Sequence, residues 1–342
     1  MEITVQGHPA HTRVLSVLVD QSAAGLLQTQ GHILDIRKRG LVPMAGQLQT
    51  AGVVPDMKID AQIETAGPSI RSIYGCQDSV AFEATQATGG ECCRDPLDRI
   101  EALSGAPLDA AIPRRLSDVI GGIRGCSHLL TLAQLACSTT ATAMDKDRAH
   151  HGTLPARRRG EHILDRSLSL DAVADASTLH CGIQLADVHF EPAPENAKAM
   201  DLLATQHEVR IHAEIELTTL RITKLRAVER RNTPDAGGEW EDRANTLASL
   251  VGRPALGGMA GALFDLLGKD EHDRPLLDSL LNLSPLLVQT TPAIMDRWQA
   301  TAERTKRERS GGLPGGACYM TRTDGPMIQH AAVEFGLDAK KK

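Results

Sequence analysis

Apolar and polar residues alternate with period two in six stretches of the chain. Three come early, "TRVLSVLVD" (12–20), "HILDIRK" (32–38) and "MKIDAQIE" (57–64). Three come late, "ILDRSLSLD" (163–171), "GIQLADVHF" (182–190) and "VRIHAEIEL" (209–217). A side chain every second residue on one face is the signature of a half-buried antiparallel strand. After the first three, the apolar spacing changes to that of helices: a short one near 95–104, another near 113–121, and a long one from 127 to about 145. Strands followed by helices, without alternation between them, predict an α+β fold. The expected unit is a small antiparallel sheet followed by helices packed on one face.

The unit occurs twice. "CSHLLTLAQLACSTTATAMD" (126–145) aligns with "LDSLLNLSPLLVQTTPAIMD" (277–296), so that Leu132 meets Leu283, Leu135 meets Leu286 and Thr139-Thr140 meet Thr290-Thr291. "LDRIEALSGAPLDAA" (97–111) parallels "ANTLASLVGRPALGG" (244–258) around a shared Leu-x-Gly-x-Pro, "PDMKIDAQIET" parallels "HEVRIHAEIEL", and "GHILDI" parallels "CGIQLADV". Four blocks in one order, each shifted by roughly 150 residues, predict two long tandem units rather than a solenoid of short ones. The first repeat is placed at 1–145 and the second, degenerate one at 161–305. Between them, 146–160 ("KDRAHHGTLPARRRG", with Lys146 first) reads as a polar linker, and Arg157-Arg158-Arg159 as part of its solvated surface. Residues 306–342 read as a Gly/Pro-rich C-terminal arm rather than a lid. Two similar units suggest a pseudo-twofold pair that copies a homodimer in one chain.

Composition narrows the class. With 342 residues and 42% hydrophobic content the chain can bury a large core. Aromatic residues are only 2% and the net charge is −6, which argues against base-stacking surfaces and general phosphate binding. No nucleic-acid partner is expected, nor a membrane one, since no apolar run is long enough to span a bilayer. No signal-peptide pattern is visible, so a cytoplasmic location is expected, with the seven cysteines mainly reduced.

Candidate chemistry centres on "GCSHLLTL" (125–132). With Ser127 as the expected cap of the long helix, Cys126 stands at its mouth, where unpaired N–H groups favour a thiolate. His128, in the first turn, can turn back toward the same space. The second unit keeps the apolar face of this helix but carries Leu277 in place of Cys126 and Ser279 in place of His128. One copy thus holds reactive residue types where the other holds scaffold. The candidate site residues are Cys126, His128 and Asp56, with Cys93 added for a metal. The pairs His8/His11 and His150/His151 are read as solvated. Asp187, His189, His207, His212, Glu214 and Glu216 offer further ligand types, read mainly as a solvated sheet face. Nucleotide loops, a nucleophile elbow and Cys-x-x-Cys pairs are absent from the sequence.

"GVVPDMKI" (52–59), Cys92-Cys93 and "ALSGAPLDAAIPRRLSDVIGGIRGCSHLLTL" (102–132) together resemble a bacterial domain family of uncharacterised function whose hallmark is a late Gly-Cys-Thr-His-Leu motif. The family's His-Asp-Met is here Pro55-Asp56-Met57, and its Thr is Ser127. Its members occur in bacteria that degrade aromatic or steroid compounds. A second resemblance, to NifU-type iron–sulfur scaffolds, rests on Asp56, Cys92 or Cys93, Gly105 with Leu108-Asp109, and Cys126-Ser127; the scaffold cysteine before the aspartate has no counterpart at Val54 or Pro55.

Three functions follow as expectations. The first is an enzyme acting on a small hydrophobic, lignin-derived aromatic compound. The resemblance implies a lyase here, cleaving a C–C bond by deformylation, formaldehyde release or decarboxylation. The second is a metal or iron–sulfur protein holding one ion through Asp56, Cys93, Cys126 and His128. The third is a non-catalytic module for a hydrophobic ligand. The cofactor is left open between none and one divalent metal, and a homodimer is allowed.

Overall fold

The computed structural model describes residues 7–38, 40, 51–192, 204–233, 237–290 and 318–334. The alternating stretches are all strands, and each group of three gains a fourth. In chain order they are β1 (His8–Ala23), β2 (Leu26–Arg37), β3 (Gly52–Glu64) and β4 (Ser69–Ser79), then β5 (His162–Ala174), β6 (Thr178–Phe190), β7 (Ala204–Glu216) and β8 (Ile222–Asn232). A two-residue β9 (Glu241–Asp242) closes the series. The two additional long strands, β4 and β8, escape a periodicity search because each lies at a sheet flank with few large apolar residues. In "SIRSIYGCQDS" only Ile70, Ile73 and Gln77 turn inward.

All strands join one antiparallel sheet in the order β4-β3-β2-β1-β5-β6-β7-β8-β9. Two hairpin-connected meanders therefore meet along β1 and β5. Their pairing is symmetric about Leu15 opposite Leu168: Arg13 faces Leu170 on one side, and Val17 faces Arg166 on the other. The expectation of a small sheet in each half is corrected here. The two groups of strands form a single large sheet, because β1 and β5 each offer an apolar-faced edge that the other satisfies.

Helices cover one face only, as the alternation requires. After a 3-10 turn at Leu97–Leu103 come α1 (Ile112–Ile120) and α2 (Ser127–His151). α2 lies across β1, β2, β3 and β5 and so spans the seam. In the second half, α3 (Ala244–Leu247), α4 (Met259–Leu267) and α5 (Arg274–Leu281) are followed by a helical run at 283–290. α5 packs on β6 and β7 and also touches α2. Leu15, Val17, Ile33, Met57, Leu132, Leu168, Ile183, Ile211 and Leu283 form one continuous core beneath them.

Two expectations about the connections change. The long helix runs past 145 to His151, into the stretch expected to be a linker, and ends on Gly152 in the left-handed conformation (φ 73°). The Arg157 side chain is not solvated: it is 1% exposed, and its guanidinium binds Asp147, Glu161 and the carbonyl of Phe190. The C-terminal stretch also departs from a free arm over 318–334. There a 3-10 turn, Tyr319–Thr321, and a helix, Pro326–Glu334, lie on the first half. Met320, Met327 and Ile328 pack with Phe82, Ala87 and Cys93, and Arg322 pairs with Glu91.

Candidate active site

The first turn of α2 is built for a close approach. A side chain at Gly125 would place its Cβ 2.1 Å from the carbonyl oxygen of Ile120, so only glycine fits there. The next residue, Cys126, has extended backbone (φ −121°, ψ 130°) and takes the cap position itself, one residue before the expected Ser127. Its sulfur therefore sits at the positive end of a 25-residue helix, beside the amides of His128 and Leu129, though neither closes a full hydrogen bond to it.

His128 turns back to the sulfur. Cys126 Sγ lies 3.6 Å from His128 Nδ1. On the other side of the ring, His128 Nε2–H donates to Asp35 Oδ2 at 2.9 Å. Asp35 comes from β2, and Arg13 of β1 grips it with two hydrogen bonds of 2.7 Å each. His11 Nε2 stands 3.3 Å from the same carboxylate oxygen, out of line for a hydrogen bond, and His11 Nδ1 has no partner among the described residues. Thiol, imidazole, carboxylate and guanidinium form one chain, and all four residues are buried.

Burial and pairing compete in setting the charges. Burial alone would push the Asp35 carboxyl up, but the charge and hydrogen bonds of Arg13, the hydrogen bond of His128 and the nearby His11 ring hold it well below the usual range. Burial alone would lower the His128 imidazole, yet Asp35 and the Cys126 sulfur raise it to about 9. For Cys126, burial works against the thiolate; the hydrogen bond and charge of His128 and the amides of Leu129 and His128 outweigh it, so the thiol lies below its ordinary value. His11 is pushed down by its burial, against the pull of Asp35. Each member of the pair thus favours the charged form of the other, the imidazolium easing loss of the thiol proton, in an arrangement able to attack carbon and deliver a proton.

The four residues expected to form a site are not all brought together. Cys126 and His128 meet. Cys93 lies nearby under the C-terminal segment, where burial raises its thiol strongly and the charge of Cys126 adds to that effect. Asp56 faces the other side of the sheet. It shares the polar face with His32, whose Nε2 donates to it at 2.7 Å, while the adjacent Met57 points inward. A four-ligand sphere of Asp56, Cys93, Cys126 and His128 is therefore not formed. The strand period decides this, since neighbouring residues point to opposite faces.

Asp35, Arg13 and His11 were missed, although a signal existed. Arg13 falls in phase with Leu15, Val17 and Val19, and Asp35 in phase with Ile33, so strict alternation sends both charges into the core. The second half repeats the anomaly: Arg166 of β5 binds Asp187 of β6 through two 2.7 Å hydrogen bonds and also pairs with Asp278 of α5. There Leu277 and Ser279 lie within α5 rather than at its mouth, and the Ser279 hydroxyl donates to the Pro275 carbonyl. His11, expected to be solvated, is 1% exposed.

All five cluster residues, His11, Arg13, Asp35, Cys126 and His128, fall within the stretch that comparison singles out. No curated protein and no solved structure matches the chain. A family model described as "Protein of unknown function (DUF2889)" matches residues 11–142, so over that stretch the chain is similar to an uncharacterised domain family.

Proposed function

We propose that the protein is a cysteine-dependent enzyme acting on a small, largely apolar substrate, with Cys126 as nucleophile, His128 as acid/base and Asp35 as the group that orients the imidazole. The observation that carries this reading is the run Cys126 Sγ–His128 Nδ1 at 3.6 Å and His128 Nε2–Asp35 at 2.9 Å. Nucleophile, base and orienter in sequence is the arrangement that activates a weak nucleophile at neutral pH. The apolar cluster of Phe82, Met320, Met327 and Ile328 around the nearby Cys93 favours an apolar substrate over a charged one.

The reaction class follows the lyase expectation. With an aromatic aldehyde, the thiolate adds to the carbonyl carbon and gives an alkoxide. Collapse of the alkoxide breaks the aryl–carbon bond, and the imidazolium of His128 delivers its proton to the departing ring carbon. The thioester left on Cys126 is then hydrolysed by water, releasing formate and the thiol. The two meanders, in this reading, are repeats of one unit over 1–145 and 161–305, and only the first kept the reactive pair. Arg13–Asp35 and Arg166–Asp187 stand at equivalent places and support it.

Formate release from lignin-type aromatic aldehydes, compared between the unmodified chain and Cys126→Ser, tests the assignment. Turnover that disappears in Cys126→Ser and drops in His128→Gln is expected. Equal turnover in the Cys126→Ser protein would remove the thiol from the mechanism.

A further inference from the structure

A second cluster of chemistry-bearing residues lies where α2 ends against β6, well away from the thiol at the other end of that helix. His150 and His151 form the last turn of α2, and His189 and Glu191 come from the end of β6 and the residue beyond it. One ligand atom each from His150, His189 and Glu191 lie within 4.8 Å of one another. Imidazole nitrogens and a carboxylate oxygen are the donor set of zinc-class ions, whose tetrahedral sites hold ligand atoms about 3.4 Å apart, within reach of small side-chain rotations from this arrangement.

His189 provides the independent sign of a ligand. Its side chain is fully buried, and its Nδ1 has no partner among the described residues. The other ring nitrogen is committed: Nε2–H donates to Asp147 at 3.0 Å, and Asp147 is held in turn by Arg157. A carboxylate that fixes one imidazole nitrogen and leaves the other free, aimed at further donors, is how metal-binding histidines are oriented. His150 stacks on the His189 ring at 5.9 Å, and its Nδ1 is 3.6 Å from Glu191 Oε1. His151 Nε2 is 3.1 Å from Glu191 Oε2, on the open side of the cluster. The positive charges facing the cluster are neutralised: Arg157 by Asp147 and Glu161, and Arg148 by Asp145.

A rival set on the polar sheet face, His180, His212 and Glu214, has the same spacing. It lacks the committed geometry, because Glu214 is taken by Lys224 at 2.8 Å and no buried nitrogen waits there. We infer that His189, His150 and Glu191, with His151 as a further donor, bind one zinc-class divalent ion that ties the end of α2 to the sheet of the second half.

Titration of Co²⁺ into the tag-free, metal-stripped full chain tests this, followed by displacement with Zn²⁺. One equivalent of Co²⁺ should give the intense visible absorption of a four-coordinate site and be displaced by Zn²⁺. His150→Ala and Glu191→Ala lie in part-exposed positions that leave the fold intact, and each should weaken binding by at least about tenfold, the loss that even a supporting group brings. His180→Ala/His212→Ala should bind as the unmodified chain does. Absence of a saturable equivalent, unchanged binding in His150→Ala and Glu191→Ala, or loss confined to His180→Ala/His212→Ala would each overturn the assignment.

Discussion

A guanidinium and a carboxylate, both without solvent contact, persist only as a pair. Removing one member leaves the other as an uncompensated charge in the core, which costs about 3–5 kcal/mol. Arg13→Ala should therefore destabilise the protein by about that much in urea unfolding, whereas Lys58→Ala, whose ion pair with Asp78 is exposed, should change little. The same residues set the behaviour of the thiol. Because His128 offsets the burial of Cys126, alkylation of Cys126 by iodoacetamide should reach half its limiting rate below the ordinary thiol range. In His128→Ala only the backbone amides still oppose the burial, so that midpoint should move upward; mass spectrometry of the Cys126 peptide at a series of pH values reads it. On the basic side the imidazolium is lost as pH rises through about 9, and any step in which His128 delivers a proton should fail there. Turnover should thus rise through the lowered Cys126 value and fall near 9, a bell checked by its pH profile.

At the scale of elements, α2 has a reactive end and a packing middle. Cys126→Ala removes one sulfur at the cap and should cost far less stability than Leu283→Ala, which empties a fully enclosed position in the run 283–290 and should cost about 2–5 kcal/mol by chemical denaturation. The segment 318–334 adds a second control. Tyr319 N–H donates to the Gly125 carbonyl at 2.7 Å, one residue from Cys126, so ending the chain at 317 should leave the fold but speed alkylation of Cys93 and Cys126. Equal rates in the shortened and full chains would show that the segment does not shield them. Strand and helix positions were largely legible in the sequence, because period two and the helical spacing are local signals. The placement of the C-terminal segment was not, because Gly and Pro announce a break in regular structure and say nothing of what the next apolar residues, Met320, Met327 and Ile328, will touch. Asp56 was misplaced for a related reason: a motif gives residue types, whereas the face of a strand is decided by register with its neighbours.

At the scale of the whole molecule, the seam between β1 and β5 organises the rest. Its pairing is symmetric about Leu15 and Leu168, so a fragment ending at residue 152 would expose β1 as an apolar-faced edge able to pair with itself about Leu15. Such a fragment should behave as a dimer in light scattering, while the full chain should not use this edge; a stable monomeric fragment would count against the duplicated origin. The aligned blocks point to two similar halves. That they share one sheet was not readable, because edge pairing is a long-range choice that leaves no mark in local composition.

A seam of this kind also limits how the molecule can move. Two lobes joined by a flexible hinge open by rotating apart, with few bonds broken. Here rotation would tear a ladder running from His8 opposite Ala174 to Asp20 opposite His162, and α2 lies across it as a splint. If the thiol acts as proposed, traffic to and from it should pass by peeling back the light cover at 318–334, so that a box with rigid walls would be gated at its latch.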